Sequence, residues 1–148
     1  MELGENVHYS TTGDHNKDSL DSLALFNSEL CYGNINAGKA YQVFFSEDID
    51  ESSNIWFSKN LSGCSNCVGC INLRKKSYCI FNEQYTKDEY EKKLKDFNFN
   101  SYASLMAFQN RAYDFWSTQP HKFMIGTHNV DATGNYVYQC KDSHNLFM

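Results

Sequence analysis

The sequence lacks three features: a large basic patch, a long apolar run and an N-terminal leader. Its formal charge is −5, and its one basic cluster is the short run Arg74-Lys75-Lys76. Binding to a phosphate backbone needs clustered Lys and Arg, so no nucleic-acid partner is expected. No apolar run approaches the roughly 20 residues of a membrane span, so no membrane partner is expected either.

The N-terminus, MELGENVHYSTTGD, has neither the basic nor the apolar region of a signal peptide. A cytoplasmic, reducing compartment is therefore expected, in which cysteines are thiols or metal ligands rather than disulfides. If a signal peptide had been removed, the even number of cysteines would suit disulfides equally well. The six cysteines are Cys31, Cys64, Cys67, Cys70, Cys79 and Cys140.

The composition predicts one folded domain with three zones. The chain has 148 residues, of which 41% are hydrophobic and 16% aromatic, so a core is expected and disorder is not. Residues 1–73 are rich in Asn, Ser, Gly and Asp and are predicted to form a stack of short coils. Residues 74–120 are predicted to form a helical hairpin insertion. Residues 121–148 return to the first composition and are predicted to begin a second, repeat-related coil segment.

The clearest local signal is a capping box at the start of the first predicted helix. Thr86 is followed three residues later by Glu89, whose side chain can reach back to the amide of the cap. Tyr90, Leu94 and Phe97 then fall on one face. A helix is predicted over residues 87–97.

A second amphipathic helix is predicted over residues 102–117. Ser101 can cap it, and Pro120, the only proline, closes it. Its apolar face is predicted to consist of Tyr102, Leu105, Met106, Gln109, Tyr113 and Trp116, with Ala112 beside them. Such an aromatic stripe is typical of a core rather than of a cofactor site.

Between Ser52 and Leu73 the sequence has a period of three. The small or apolar residues at this interval are Ser52, Ile55, Ser58, Leu61, Cys64, Cys67, Cys70 and Leu73. A period of three fits neither a helix nor a plain strand. It favours a chain that turns every few residues, with Asn or Gly at the corners, because these residues tolerate left-handed backbone angles.

Twelve residues would make one flattened coil. Ile55, Cys67 and Cys79 would then stack in a ladder, as would Ser52 and Cys64. The predicted fold class is therefore mixed β/α: short-coil, β-helix-like solenoid segments with an inserted amphipathic helical hairpin.

An internal repeat extends this pattern to the C-terminus. Residues 12–26 align without gaps on residues 133–147, with identities at Thr-Gly, Asp-Ser and Leu-Phe pairs. The chain stops just as this second stack begins, which indicates a fragment or a short variant. The C-terminal edge is expected either to fold back on the first stack or to contact a protein partner or a second copy.

The stretch CSNCVGCINLRKKSYCIFNEQYTKDEYEKKL, residues 64–94, resembles a segment of uncharacterised cysteine-rich proteins predicted from uncultivated bacteria and their viruses. Those proteins are similar in their Asn- and Cys-punctuated coils, in a Leu-Arg-x-Lys-x-Tyr-Cys-Ile-x-Asn hinge, and in a capped helix. Here the hinge is Leu73 to Asn82. The resemblance implies a solenoid with a helical insertion and implies no activity.

The four cysteines Cys64, Cys67, Cys70 and Cys79 are the candidate metal ligands. Four thiolates within sixteen residues could bind Zn²⁺ tetrahedrally, although the usual pattern has two separate Cys-x2-Cys pairs. An iron–sulfur cluster would be expected to end in Cys-Pro, which is lacking. The alternative is packing, because the first three lie on the same three-residue period as Ile55 and Leu61 and cysteine is a small, readily buried side chain.

The predicted function is a non-enzymatic structural or protein-interaction module, without cofactor or catalytic residues. The first alternative is a zinc-binding domain organised by the four cysteines. The second is an enzyme that acts on glycans in a solenoid groove, which rests on analogy of fold alone. The five histidines and the acidic run SEDIDE match no catalytic or EF-hand spacing.

Overall fold

The structure is a computed structural model that describes residues 4–147, apart from the side chain of Phe147. The fold is mixed β/α, with parallel sheets of eight and five strands and two helices among the described residues. The chain divides between Thr118 and Gln119 into two compact units.

From residue 4 onward, where the structure describes the chain, the first unit contains thirteen short strands followed by two helices. The strands are β1 (Glu5–His8), β2 (Gly13–Asp14), β3 (Lys17–Leu20), β4 (Leu23–Phe26), β5 (Glu29–Tyr32), β6 (Ile35–Gly38), β7 (Tyr41–Phe44), β8 (Glu47–Asp50), β9 (Ser53–Trp56), β10 (Lys59–Ser62), β11 (Ser65–Val68), β12 (Ser77–Ile80) and β13 (Glu83–Gln84). We call β1 to β12 the two-sheet region.

The strands alternate between the two sheets. The larger sheet has the order β1-β3-β5-β7-β9-β11-β12-β13, and the smaller has the order β10-β8-β6-β4-β2. Every pairing within the two-sheet region is parallel and has a register of twelve residues, as in Val43 with Ile55 and Ala37 with Ile49. Strand β13 pairs antiparallel with β12 at the end of the larger sheet.

A left-handed residue stands at every third position from His15 to Phe81. The Asn and Gly corners predicted from sequence are confirmed: Asn54 has φ 54°, Asn66 has φ 52° and Gly63 has φ 63°. Asn and Gly adopt this conformation more readily than other residues do. Bulky residues also occupy it, including Phe45 and Phe57.

The predicted inward positions are confirmed. Seven of the eight residues from Ser52 to Leu73 at the three-residue interval are buried, and Leu73 packs partly buried against their cluster. Residues at the same three-residue interval are also buried upstream of Ser52, where the interval was not recognised in the sequence. The additional buried positions are Asn16, Ser19, Ser22, Leu25, Ser28, Cys31, Asn34, Ala37, Ala40, Val43, Ser46 and Ile49.

The two helices are α1 (Lys87–Asp96) and α2 (Tyr102–Thr118), within one residue of the predicted bounds. The capping box is confirmed, since the amide of Glu89 donates to Thr86 and the amide of Thr86 donates to the Glu89 carboxylate. Helical structure begins at Lys87, so residues 74–86 of the predicted helical zone are not helical. Within the described residues, no helix is long and apolar enough to cross a membrane.

The apolar face predicted for α2 is confirmed in part. Ala112 and Trp116 are buried as predicted, whereas Tyr102 and Tyr113 are exposed and the buried Phe108 was not predicted. Phe108 lies 5.5 Å from the Phe57 ring and 5.2 Å from the Phe81 ring, centroid to centroid. These turn aromatics determine which face is buried, because α2 has apolar residues on nearly every side.

The second unit contains four strands: β14 (Gly126–Thr127), β15 (Val130–Asn135), β16 (Val137–Tyr138) and β17 (Lys141–Phe147). Strands β14 and β16 pair parallel, as do β15 and β17. The aligned repeats have the same pairing, because Gly13 pairs with Leu25 in the first copy and Gly134 pairs with Leu146 in the second.

Candidate functional site

The four candidate metal ligands lie inside the two-sheet region, where each is at most 2% exposed. Cys67 stands between Ile55 and Cys79 on neighbouring strands, so the predicted ladder is confirmed. The amide of Cys64 donates to the Ser52 hydroxyl over 3.0 Å, so the second predicted ladder is confirmed as well. Cys64, Cys67 and Cys70 thus occupy inward positions twelve residues from Ser or aliphatic residues, and Cys79 lies twelve residues from Cys67.

Each of the four thiols donates a hydrogen bond to the carbonyl oxygen two residues before it. The sulfur–oxygen distances are 3.5 Å for Cys64, 3.4 Å for Cys67, 3.4 Å for Cys70 and 3.6 Å for Cys79. Ser46 and Ser58 make the same contact through their hydroxyls over 2.8 and 2.9 Å. These thiols therefore make the same hydrogen bond to the backbone that serine hydroxyls make elsewhere in the two-sheet region.

Several inward side chains also accept a backbone amide from the next repeat. The Ser58 hydroxyl accepts from the amide of Cys70 over 3.0 Å, and the Cys70 sulfur in turn accepts from the amide of Asn82 over 3.4 Å. Buried amides need such partners, because an unpaired one costs about 1–3 kcal/mol. The Ser and Cys side chains therefore supply hydrogen bonds to turns that the strand pairing leaves open.

Burial favours the protonated form of several of the cysteines. Burial raises the pKa of Cys79 to about 12 and that of Cys31 to about 11. A hydrogen bond with Cys70, together with burial, raises the pKa of Cys67. Metal ligation and nucleophilic attack both require the thiolate, which these positions disfavour.

The thiols could bind a metal only after losing these protons and the carbonyl contacts. In the part of the chain that the structure describes, no group of three or more His, Cys, Asp or Glu side chains is placed to hold a metal ion. The five histidines lie at exposed positions, whereas the four sulfurs are buried. The zinc site stays a prediction, which metal analysis decides.

A Gly-x-His-Asn motif was missed in the sequence. It occurs as GDHN ending at Asn16 and as GTHN ending at Asn129. The Asn16 amide group donates to the Leu25 carbonyl over 2.8 Å, and its oxygen accepts from the amide of Ser28 over 3.1 Å. Asn129 makes the equivalent bonds over 2.6 and 3.0 Å.

The glycine of this motif is required by close approach. A Cβ on Gly13 would lie 1.9 Å from the Leu25 carbonyl oxygen, and one on Gly126 would lie 2.0 Å from that of Val137. No other residue fits this position without a shift of the backbone. Both units therefore use the same device to join one repeat to the next, and the recurrence of the four letters was the signal for it.

The outer surface has one corner rich in aromatic and aliphatic residues. We use the name aromatic corner for the outward residues at two kinds of turn. These are the turns that lead from an odd-numbered to an even-numbered strand, and the turn after β12. The covered members are Phe45, Trp56, Phe57, Val68, Ile71, Ile80 and Phe81. The hairpin packs on them through aromatic rings: Phe99 lies 5.5 Å from Trp56, and Phe108 lies 5.5 Å from Phe57.

A groove of about 370 Å³ lies beside the hairpin. Arg111 stands over the Phe81 ring at 5.1 Å, and Lys93 stands over the Tyr85 ring at 4.8 Å. Acidic side chains also line the groove, so its mixed charge favours neither anionic nor cationic ligands.

Comparison of the chain with protein-family models, with curated proteins and with solved structures finds no match. Function is therefore inferred from the geometry of the described residues.

Proposed function

We propose that the chain is a non-enzymatic structural or protein-interaction module built on a Cys- and Asn-punctuated β-solenoid. The twelve-residue register of every parallel pairing supports this fold, since each repeat then makes one coil stacked on the last. The left-handed residue at every third position supports it too, because it turns the chain at regular intervals.

One observation carries the functional proposal: the cysteines, which are the most chemically distinctive residues of the chain, face inward and bond to the backbone. The Cys67 and Cys70 thiols donate to carbonyl oxygens, as the Ser58 hydroxyl does. A buried, protonated thiol engaged in this way contributes to packing and not to catalysis.

The outer faces support a role in recognition. Side chains twelve residues apart bond along the stack, as Asn54 does to Asn66 over 3.2 Å and Lys59 to Glu47 over 2.6 Å. Such ladders hold surface groups in rows about 4.8 Å apart, the spacing of neighbouring strands. A row of fixed side chains is suited to binding another protein, because little side-chain entropy is lost on association.

The second candidate is a zinc-binding domain organised by Cys64, Cys67, Cys70 and Cys79. The observation in its favour is that the Cys67 side chain lies within hydrogen-bonding reach of Cys70 and Cys79. Zn²⁺ would replace the thiol protons and would tie neighbouring coils together.

The two candidates differ in their response to replacing Cys64 and Cys70 by Ser. These positions belong to columns that hold Ser, Asn or Ala in other repeats. For the structural module we expect the C64S/C70S protein to unfold cooperatively, close to the wild-type temperature and regardless of EDTA. A zinc domain would lose its cooperative transition. Cys140→Ser is the matched control, because Cys140 lies outside the cluster and is only half-buried.

A further inference from the structure

The aromatic corner continues beyond the hairpin into a part that is exposed. Leu20, Leu23 and Ile35 are 39%, 46% and 43% exposed, and Tyr32 is half-buried. These residues flank the turns β3–β4 and β5–β6, which are equivalent to the turn β9–β10 under the hairpin. We call Leu20, Leu23, Tyr32 and Ile35 the open corner.

Strand pairing makes the open and covered parts one surface. Leu20 pairs with Tyr32, Tyr32 with Phe44, and Phe44 with Trp56, which the hairpin covers. Leu23 pairs with Ile35 in the adjoining sheet. The rings continue the same row, since Tyr32 contacts Phe45 at 5.1 Å and Phe45 stacks on Phe57 at 5.2 Å.

The covered part shows what kind of structure fits this corner. There the chain's own hairpin presents Phe108 and Phe115 from α2, and Phe97 and Phe99 from the connection between its helices, to the outward residues of the two-sheet region. The open corner offers the same kind of surface over two neighbouring strands of each sheet, and Phe44 continues its row toward the covered part. From Leu20 to Phe44 this row spans about 10 Å, the length of about two helical turns.

The charge beside the open corner is negative. Asp21 is exposed between Leu20 and Leu23. Glu47 is the register partner of Ile35 on the next strand of the smaller sheet, and it forms an ion pair with Lys59. A helix seated here would bury its apolar face and could place a Lys or Arg beside Asp21. Such charge complementarity favours association and fixes orientation.

We propose that the open corner binds an amphipathic helix of a partner protein, with an aromatic or aliphatic face and a basic residue at its border. The inference deepens the proposed interaction function and rests on it. It names a helix rather than an added strand because the corner consists of turn-flanking side chains, which resemble those that the hairpin already covers.

The test uses the full chain and a fluorescein-labelled peptide of residues 86–118, the segment that packs on the equivalent turns. Anisotropy should show saturable binding to the wild-type chain. The double variant L23D/I35D should weaken it about tenfold or more, because it places charge in the apolar contact. The matched control is F26D/Y41D, which changes residues of similar exposure, 42% and 44%, at the opposite turns.

Three results would overturn the inference: no binding to the wild type, equal binding to both double variants, or a chain that self-associates and is made monomeric by L23D/I35D. Circular dichroism checks folding, and L23S/I35S replaces the aspartate variant if that variant unfolds. A peptide carrying F108S/W116S should not bind. If the peptide does not bind while the C64S/C70S protein folds as expected, the docking inference is wrong and the structural-module proposal is unaffected.

Discussion

Cys67 and Cys79 are in-register partners on adjacent parallel strands, twelve residues apart in the chain. Each is buried, and each thiol donates to the carbonyl two residues before it. The pair occupies the column that holds Val43 and Ile55 in earlier repeats. The same site in the repeat therefore accepts an aliphatic side chain or a thiol, which is how a packing position behaves.

Replacing Cys67 by Ala should cost about 1–2 kcal/mol of unfolding free energy, because it removes one buried sulfur from a column that is otherwise intact. Urea unfolding with and without EDTA measures it. Cys140→Ala, at a half-buried position, is the control and should change stability little. Loss of cooperative unfolding in Cys67→Ala, together with strong sensitivity to EDTA, would show that the packing account is wrong.

Stability should fall in alkali partly because of Cys31. The pKa of the Cys31 thiol is about 11 in the folded chain, whereas its ordinary value, which applies to the unfolded chain, is 9.0. As the pH rises, the unfolded chain therefore loses this proton first. The contribution of Cys31 to the free energy of unfolding is complete below pH 9. Above pH 9 it decreases by about 1.4 kcal/mol per pH unit, up to the pKa of the folded chain. The advantage of wild type over Cys31→Ser should therefore shrink by about 2 kcal/mol between pH 8 and pH 11.

Urea unfolding of both proteins at the two pH values, under reducing conditions, tests this expectation. Every other titrating group is common to the two proteins, so it cancels in the difference. Parallel loss of stability would mean that Cys31 ionises as readily in the folded chain as in the unfolded one.

Trp116→Ala should destabilise the first unit by about 3–5 kcal/mol, as truncations of large buried aromatics do. Tyr113→Ala is the control, because Tyr113 lies on the same helix and is 43% exposed. Trp116→Phe should cost far less, since the indole nitrogen is buried without a hydrogen-bond partner among the described residues. In a Trp56→Phe background, an emission maximum typical of a water-exposed indole would contradict the placement of Trp116.

Asn16→Ala should cost about 2–4 kcal/mol, because it leaves the Leu25 carbonyl and the Ser28 amide buried without partners. Chemical denaturation measures the loss. Asn110→Ala is an appropriate control, as Asn110 is exposed on α2, where Ala is the better helix former. Equal stability of the two variants would mean that the Gly-x-His-Asn motif is not a structural joint.

The sequence allowed prediction of the helices and of the ladder Ile55-Cys67-Cys79 because both have strong local signals. Thr86 and Glu89 mark a helix start by their chemistry alone. The period of three is visible after Ser52 because three cysteines and three aliphatic residues fall on it.

The inward residues of the upstream half of the two-sheet region were missed for a physical reason. They include Asn16, Ser22 and Ser28, which in sequence are indistinguishable from surface residues. They are buried because each finds backbone partners twelve residues further along the chain, and no local pattern reports such bonds. The burial of Phe108 on α2 was missed for a similar reason, since the Phe57 and Phe81 rings that it contacts come from distant turns.

The metal content of the purified protein tests the central claim most directly. The claim is that Cys64, Cys67, Cys70 and Cys79 are buried packing residues of the two-sheet region. Protein purified without chelator from zinc-supplemented cells should contain far less than one equivalent of zinc per chain by elemental analysis. Near-stoichiometric zinc, lost in the C64S/C70S protein, would contradict the claim and would establish the cysteines as ligands.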